Sequence, residues 1–205
     1  MRYLAVFLAC VICASLAQAT VDSDPDQIGI YFDLNADQTS LDVVGDPYTI
    51  FSAYVIITNP AASAVTGIRL SWCSEIVGTT SGFLLGPIEH WYGEYSDSLD
   101  QFSWCDDGRQ LVFYEPLPFV GSNVPVVRLE YTAYFGEPAM EFYLGPIYPQ
   151  SNQGGLPAYR DADGVFRPLG ISSGDTSLPV AILNGENDVV STVDSTLDAI
   201  KAIYR

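Results

Sequence analysis

Strand-like runs follow one another along this chain, and helical periodicity is missing until its last dozen residues. Runs rich in Tyr, Val, Ile and Phe occupy 28–34, 48–59, 65–76, 101–105, 110–115, 124–135, 140–147 and 179–184. Asn59-Pro60, Asp106-Asp107-Gly108 and Gly136-Glu137-Pro138 punctuate them. Short strands at this spacing, parted by turn residues, predict an all-β antiparallel sandwich. Within 124–135, Val127, Leu129, Tyr131 and Ala133 alternate with Arg128, Glu130, Thr132 and Tyr134, so this strand has one dry and one wet face. The run 54–59 is more uniformly apolar and reads as a central strand. Phe-x-Leu-Gly-Pro-Ile occurs at 83–88 and again at 142–147. Pro cannot donate to a ladder, so each Gly-Pro reads as a strand end.

Two segments depart from this pattern. Residues 148–178 are rich in Pro, Gly, Ser and Asp and read as a long surface excursion with one short hairpin. Residues 192–204 predict a short C-terminal α-helix. Val193, Leu197, Ile200 and Tyr204 share one helical face, Ser195 and Asp198 form a capping-box pattern, and Lys201 and Arg205 suit the end of the dipole.

Residues 1–19 read as a signal peptide. Arg2 is its charged start, Leu4 to Leu16 its apolar stretch, and Ala17-Gln18-Ala19 its small-x-small cleavage site. Cleavage before Cys10, as in a lipoprotein, would leave too short a leader. What remains, 20–205, reads as one domain with no transmembrane segment, placed in the periplasm, at the cell surface or in the medium. The chain holds 8 Lys+Arg against 25 Asp+Glu, a formal net charge of −17. Such a chain is repelled by nucleic acid and by anionic lipid. Its acidity suits solubility outside the cell or binding of Ca²⁺.

Ser-Trp-Cys occurs twice, at 71–73 and 103–105. With the leader gone, Cys73 and Cys105 are the cysteines left. An exported chain with two cysteines most simply joins them in a disulfide. A metal site would need more soft ligands, and His90 is the single histidine. If the bridge lay inside the sandwich, Trp72 and Trp104 would face away from the core.

Several patterns could carry chemistry. Gly170 to Gly174 matches Gly-x-Ser-x-Gly, but it lacks the strand before and helix after that a nucleophile elbow needs. His90 has Glu89 and Glu94 nearby as partners for base chemistry, with no marked nucleophile. Paired carboxylates could serve a hydrolase acting on polysaccharide, though so many acids guarantee pairs by chance. Asp33, Asn35 and Asp37 open like a Ca²⁺ loop, but Gln38 replaces the turn glycine and Val44 the bidentate acid. Asp161 and Asp163 sit in a second, similar turn. The sharpest surface candidate is 89–98, where Trp91, Tyr92 and Tyr95 interleave with Glu89, Glu94 and Asp97. Aromatic faces beside carboxylates suit stacking on sugar rings, so Trp91, Tyr92, Tyr95 and Glu94 form a candidate ligand platform.

Residues 28–33, 53–72, 142–164, 179–185 and 200–205, taken together, resemble a group of uncharacterised exported bacterial β-sandwich proteins. More loosely, 58–72 followed by 126–135 resembles the cohesin and immunoglobulin-like sandwich class. Cohesins bind dockerins through a sheet face, and residues 184–194 lack the spacing of a dockerin. The expected function is therefore a non-catalytic binding or structural module of the envelope or exterior, its partner a carbohydrate or another envelope protein. The alternative is a secreted polysaccharide hydrolase. No cofactor is expected beyond Ca²⁺.

Overall fold

The computed structural model describes residues 24–43, 48–77, 83–101, 107–137, 139–147 and 155–185. These hold the strands Gln27–Tyr31 (β1), Ser40–Leu41 (β2), Thr49–Thr58 (β3), Gly67–Ile76 (β4), Phe83–Trp91 (β5), Tyr95–Gln101 (β6), Asp107–Phe113 (β7), Asn123–Phe135 (β8), Met140–Gly145 (β9), Ala158–Arg160 (β10), Phe166–Pro168 (β11), Gly170–Ile171 (β12) and Ala181–Leu183 (β13). The first sheet runs β12-β1-β3-β8-β5. The second runs β11-β10-β4-β9-β13-β2, with β7 also on β4 and β6 on β7. The architecture is an all-β sandwich.

Period-two patterning decides which faces meet. Ile28 and Ile30 of β1, Val55 and Ile57 of β3, and Val127, Leu129 and Tyr131 of β8 are buried. Ile68, Leu70 and Trp72 of β4, Leu111 and Phe113 of β7, and Phe142 and Leu144 of β9 join them in one core. Each such side chain contributes roughly 1.5–3 kcal/mol relative to exposure. Aromatic rings span the middle. Tyr131 stacks on Phe51 at 5.4 Å and meets Phe142 edge-on at 5.5 Å.

The strands β3 and β8 lie where the periodic runs place them, and β3 is central, between β1 and β8. Their register shifts between Val55 and Ile56, opposite Pro125. A proline there cannot donate to the ladder, and the irregularity absorbs the loss. Ile56 shares the parity of Tyr54, opposite to Val55 and Ile57, and joins Tyr31, Ala36 and Tyr54 in a small cluster separate from the main core.

Three expectations change. Residues 83–91 form one strand straight through Gly86-Pro87, not a strand stopped by it. Among the described residues β5 pairs only with β8 and lies at the sheet edge, where a proline has no ladder partner to deny on its open side, and a bulge accommodates it. The Gly-Pro at 145–146 does end a strand, at Gly145. Second, Trp72 is buried and Cys73 half-buried, so Trp72 does not face away from the core. Ile68, Leu70 and Trp72 share one parity of β4, and burying three large apolar side chains outweighs burying one sulfur. Third, the excursion after residue 154 is annexed to both sheets. The hairpin β10–β11 pairs with β4, and β12 runs parallel to β1. Tyr159 and Leu169 are fully buried there. The expected helix at 192–204, Cys105, Trp104 and the leader lie outside the described residues.

Candidate functional site

Alternation separates the residues of 89–95 onto different sides of the sandwich. Glu89 and Trp91 pair with Leu129 and Val127, which are core-facing positions of β8. Both side chains therefore turn inward at the sandwich edge, toward Arg109 and Trp72 of the second sheet. The Trp91 Nε1–H donates to Glu89 Oε2 at 3.0 Å, and Arg109 Nη2 donates to Glu89 Oε1 at 3.1 Å. The Trp91 ring lies 6.1 Å from Trp72 and 5.7 Å from Tyr95. The arrangement closes the gap between β5 and β7 with rings and one ion pair, and Tyr95 keeps 37 % of its surface exposed.

The expected platform is thus divided. Trp91 and Tyr95 come together. Tyr92 instead lies near Tyr54 and Arg128, and burial pushes its phenol up, with Tyr54 adding and Arg128 opposing. Glu94 is exposed, and its backbone carbonyl accepts from the Tyr114 N–H. Glu89 accepts from Trp91 on one carboxylate oxygen and from Arg109 on the other, which ties it into the sandwich edge.

His90 takes the opposite parity from Glu89, so strand geometry parts this expected pair. His90 Nε2 lies 3.9 Å from Glu130 Oε2, and Arg128 Nη2 lies 3.5 Å from the same oxygen. These three sit on the outer face of the first sheet. The register builds that face in rungs. Tyr54 and His90 flank Arg128, Ser52 and Ile88 flank Glu130, and Ile50 and Leu85 flank Thr132.

This outer face is what sequence reasoning missed. Ile50 and Ile88 are each 61 % exposed, Leu85 42 % and Tyr48 66 %. Leu85 and Ile88 are an odd number of residues apart, so a regular strand would send them to opposite faces. Three steps along β5 match two along β8 between these residues, and the extra residue of this bulge puts both outward. Tyr48 stands at φ 76°, a region costly for a bulky side chain, with its ring edge-on to Tyr134 at 4.9 Å. Two backbone irregularities thus present large apolar groups to solvent. The signal available in the sequence was Leu85 and Ile88 around Gly86-Pro87, beside the wet face of β8.

The candidate Ca²⁺ residues hold turns. Asp33 Oδ1 accepts from the Asp37 and Gln38 N–H groups at 3.2 and 3.1 Å, and Oδ2 accepts from Asn35 N–H at 3.2 Å. Asp37 is raised above its ordinary range by its hydrogen bond to Asp33, then by burial and by the Asp33 charge. Asp161 Oδ1 accepts from Asp163 and Val165 N–H at 3.0 and 2.9 Å, and Oδ2 pairs with Arg167 Nε at 2.7 Å. The Arg167 hydrogen bond and the backbone donors hold Asp161 below the usual carboxylate range. Among the described residues no group of three or more His, Cys, Asp and Glu could hold a metal ion.

The remaining patterns are structural. In Gly-x-Ser-x-Gly, Gly170 and Ile171 form β12, and the motif serine, Ser172, continues it with its N–H donating to the Ile28 carbonyl at 2.9 Å; its Oγ is buried with no hydrogen-bond partner among the described residues, so no base stands beside it. Tyr159 donates to Asp26 Oδ1 at 2.8 Å, and burial first, then Asp26, push its phenol up to about 12. No helix among the described residues is long and apolar enough to cross a membrane.

No family model matches the chain, and no curated protein matches it. Solved structures similar to it include cohesin modules. One is the cohesin module from a Clostridium perfringens ATCC13124 family 33 glycoside hydrolase, at 12% identity and TM-score 0.39, covering 70% of this chain and 88% of that one. Another is the sixth cohesin from scaffoldin B of Acetivibrio cellulolyticus, solved with a dockerin, at 9% and 0.41, covering 71% and 94%. A third is a type II cohesin domain from the Acetivibrio cellulolyticus cellulosome, at 11% and 0.40, covering 77% and 95%. The likeness is one of sandwich fold.

Proposed function

We propose that this chain is an exported, non-catalytic binding module whose working surface is the outer face of the first sheet. The observation that carries this reading is the set of exposed apolar side chains Tyr48, Ile50, Leu85 and Ile88 beside the Arg128–Glu130–His90 group. Monomeric soluble proteins rarely keep such side chains together on a bare face without a use. The face is a flat strand surface, suited to contact with another surface. Branched aliphatic groups make up most of this apolar area, and its exposed ring, Tyr48, is set edge-on to Tyr134 at the rim, so the partner is another protein of the envelope or exterior. Cleavage after Ala19, a single domain over 20–205 and a Cys73–Cys105 disulfide belong to the same reading.

The test is site-directed crosslinking in the organism's own envelope fraction. A photo-reactive amino acid at position 88 should give a discrete crosslinked protein band, and one placed at 165, exposed on the β10–β11 hairpin of the second sheet, should not. Ile50→Asp should remove the band while thermal unfolding stays unchanged. A band that persists in Ile50→Asp, or that arises equally from 165, would move the working surface elsewhere.

A further inference from the structure

We infer that the occupant of this face is a second copy of the same chain, joined about a two-fold axis that lays β8 of one copy across β8 of the other. This rests on the outer face being the working surface. Charge is the argument. Across the chain, acids outnumber bases 25 to 8. On the bare part of the face the described side chains are balanced instead, with the Arg128 guanidinium and the His90 imidazole 3.5 and 3.9 Å from the single Glu130 carboxylate. A strongly basic partner finds no acidic surface there. An isologous contact has the opposite need, because both partners bring the same residues and the patch must hold both signs within itself. Antiparallel β8 strands crossing about such an axis set Arg128 of each copy beside Glu130 of the other.

The apolar groups complete the pattern. Ile50, Leu85 and Ile88 lie on adjacent rungs across three strands and supply a centre that excludes water. The Tyr48–Tyr134 pair rims one end. The bulge turns Leu85 and Ile88 to the same side, and by the same shift sets Leu84 and Trp91 both against the core.

The sign of the salt dependence separates the occupants. Two copies at −17 each repel at long range, and added salt screens that repulsion. Self-association through an apolar strip therefore strengthens as salt rises, whereas binding of a basic partner weakens. Sedimentation equilibrium of the intact chain, across protein concentration and at low and high NaCl, reads this directly. The expected result is a mass that climbs toward twice the monomer, at lower protein concentration in high salt. Ile88→Asp should raise the half-dimer concentration by about tenfold or more. Arg128→Glu should weaken the dimer, and the double swap Arg128→Glu with Glu130→Arg should restore it, since self-complementarity survives the exchange. A dimer indifferent to Ile88→Asp, or one that dissociates as salt rises, overturns the inference. A persistent monomer overturns it too. If that monomer still binds an apolar dye that Ile88→Asp displaces, the proposed function stands without the second copy; if no dye binds, both fall.

Discussion

At the scale of single residues, carboxylates in this chain are organisers. Asp161 accepts two backbone N–H groups and pairs with Arg167, which ties the turn between β10 and β11. Its carboxyl is lowered in the folded chain, so its contribution to stability is present above the unfolded value of about 3.9 and is lost as pH falls through the folded value. Thermal unfolding measured from neutral to acid pH should show Asp161→Asn less stable at neutral pH, with the gap to the parent closing in acid. A gap that stays constant with pH would mean that the carboxylate charge is not what matters. Trp91 offers a second prediction. Its ring fills the sandwich edge between Trp72 and Tyr95, so Trp91→Ala should cost about 2 kcal/mol, less than a fully buried tryptophan. The melting temperature should fall by roughly 4–8 °C. An unchanged melt would mean that the ring is peripheral and available to a ligand. Turn roles for Asp33 and Asp161 were legible in the sequence, because short acids before Asn, Asp and Gly hydrogen-bond their own backbone. The fate of Glu89 was not, because its partner Arg109 comes from another sheet, and the sequence between them carries no mark of it.

Among the elements, long periodic strands were legible and short or interrupted ones were not. The strands β3 and β8 show their faces over enough residues for the period to stand out. The strands β10, β11 and β12 are two or three residues long and borrow their stability from β4 and β1, so local composition reads as loop. In β5 the Gly-Pro pair hides a continuous edge strand. The bulge there sets which side chains reach the outer face, and this makes it testable. Deleting Gly86 removes the extra residue and lets β5 pair regularly, which forces one side of the strand to reverse its faces. Glu89 and Trp91 are tied to Arg109 and Trp72 of the second sheet, so Leu85 is the side that turns inward. The expected outcome is loss of a crosslink placed at 85, with faster amide exchange confined to β5. Full retention of that crosslink would show that the bulge is incidental to that surface.

On the scale of the whole molecule, the sandwich class was legible from strand spacing, but not the way in which late segments complete both sheets. A disulfide between Cys73 and Cys105 is proposed on chain-wide grounds, from compartment and cysteine number. Intact mass of the exported chain should rise by about two protons on reduction, and stability should drop by roughly 3–4 kcal/mol. Two thiols that alkylate without reductant would end the proposal. The topology has a temporal side. The strand β1 gains its outer neighbour from β12, and β2 is held by β13 in parallel register, so the first strands of the chain wait for nearly the last. During synthesis the first sheet is incomplete until residue 171 has left the ribosome and the second until residue 183 has, and contacts this distant in sequence form slowly. A chain built this way stays slack while it is being made. On the proposed export through a narrow translocation pore, that delay would keep the chain threadable, and the sandwich would set only on the far side.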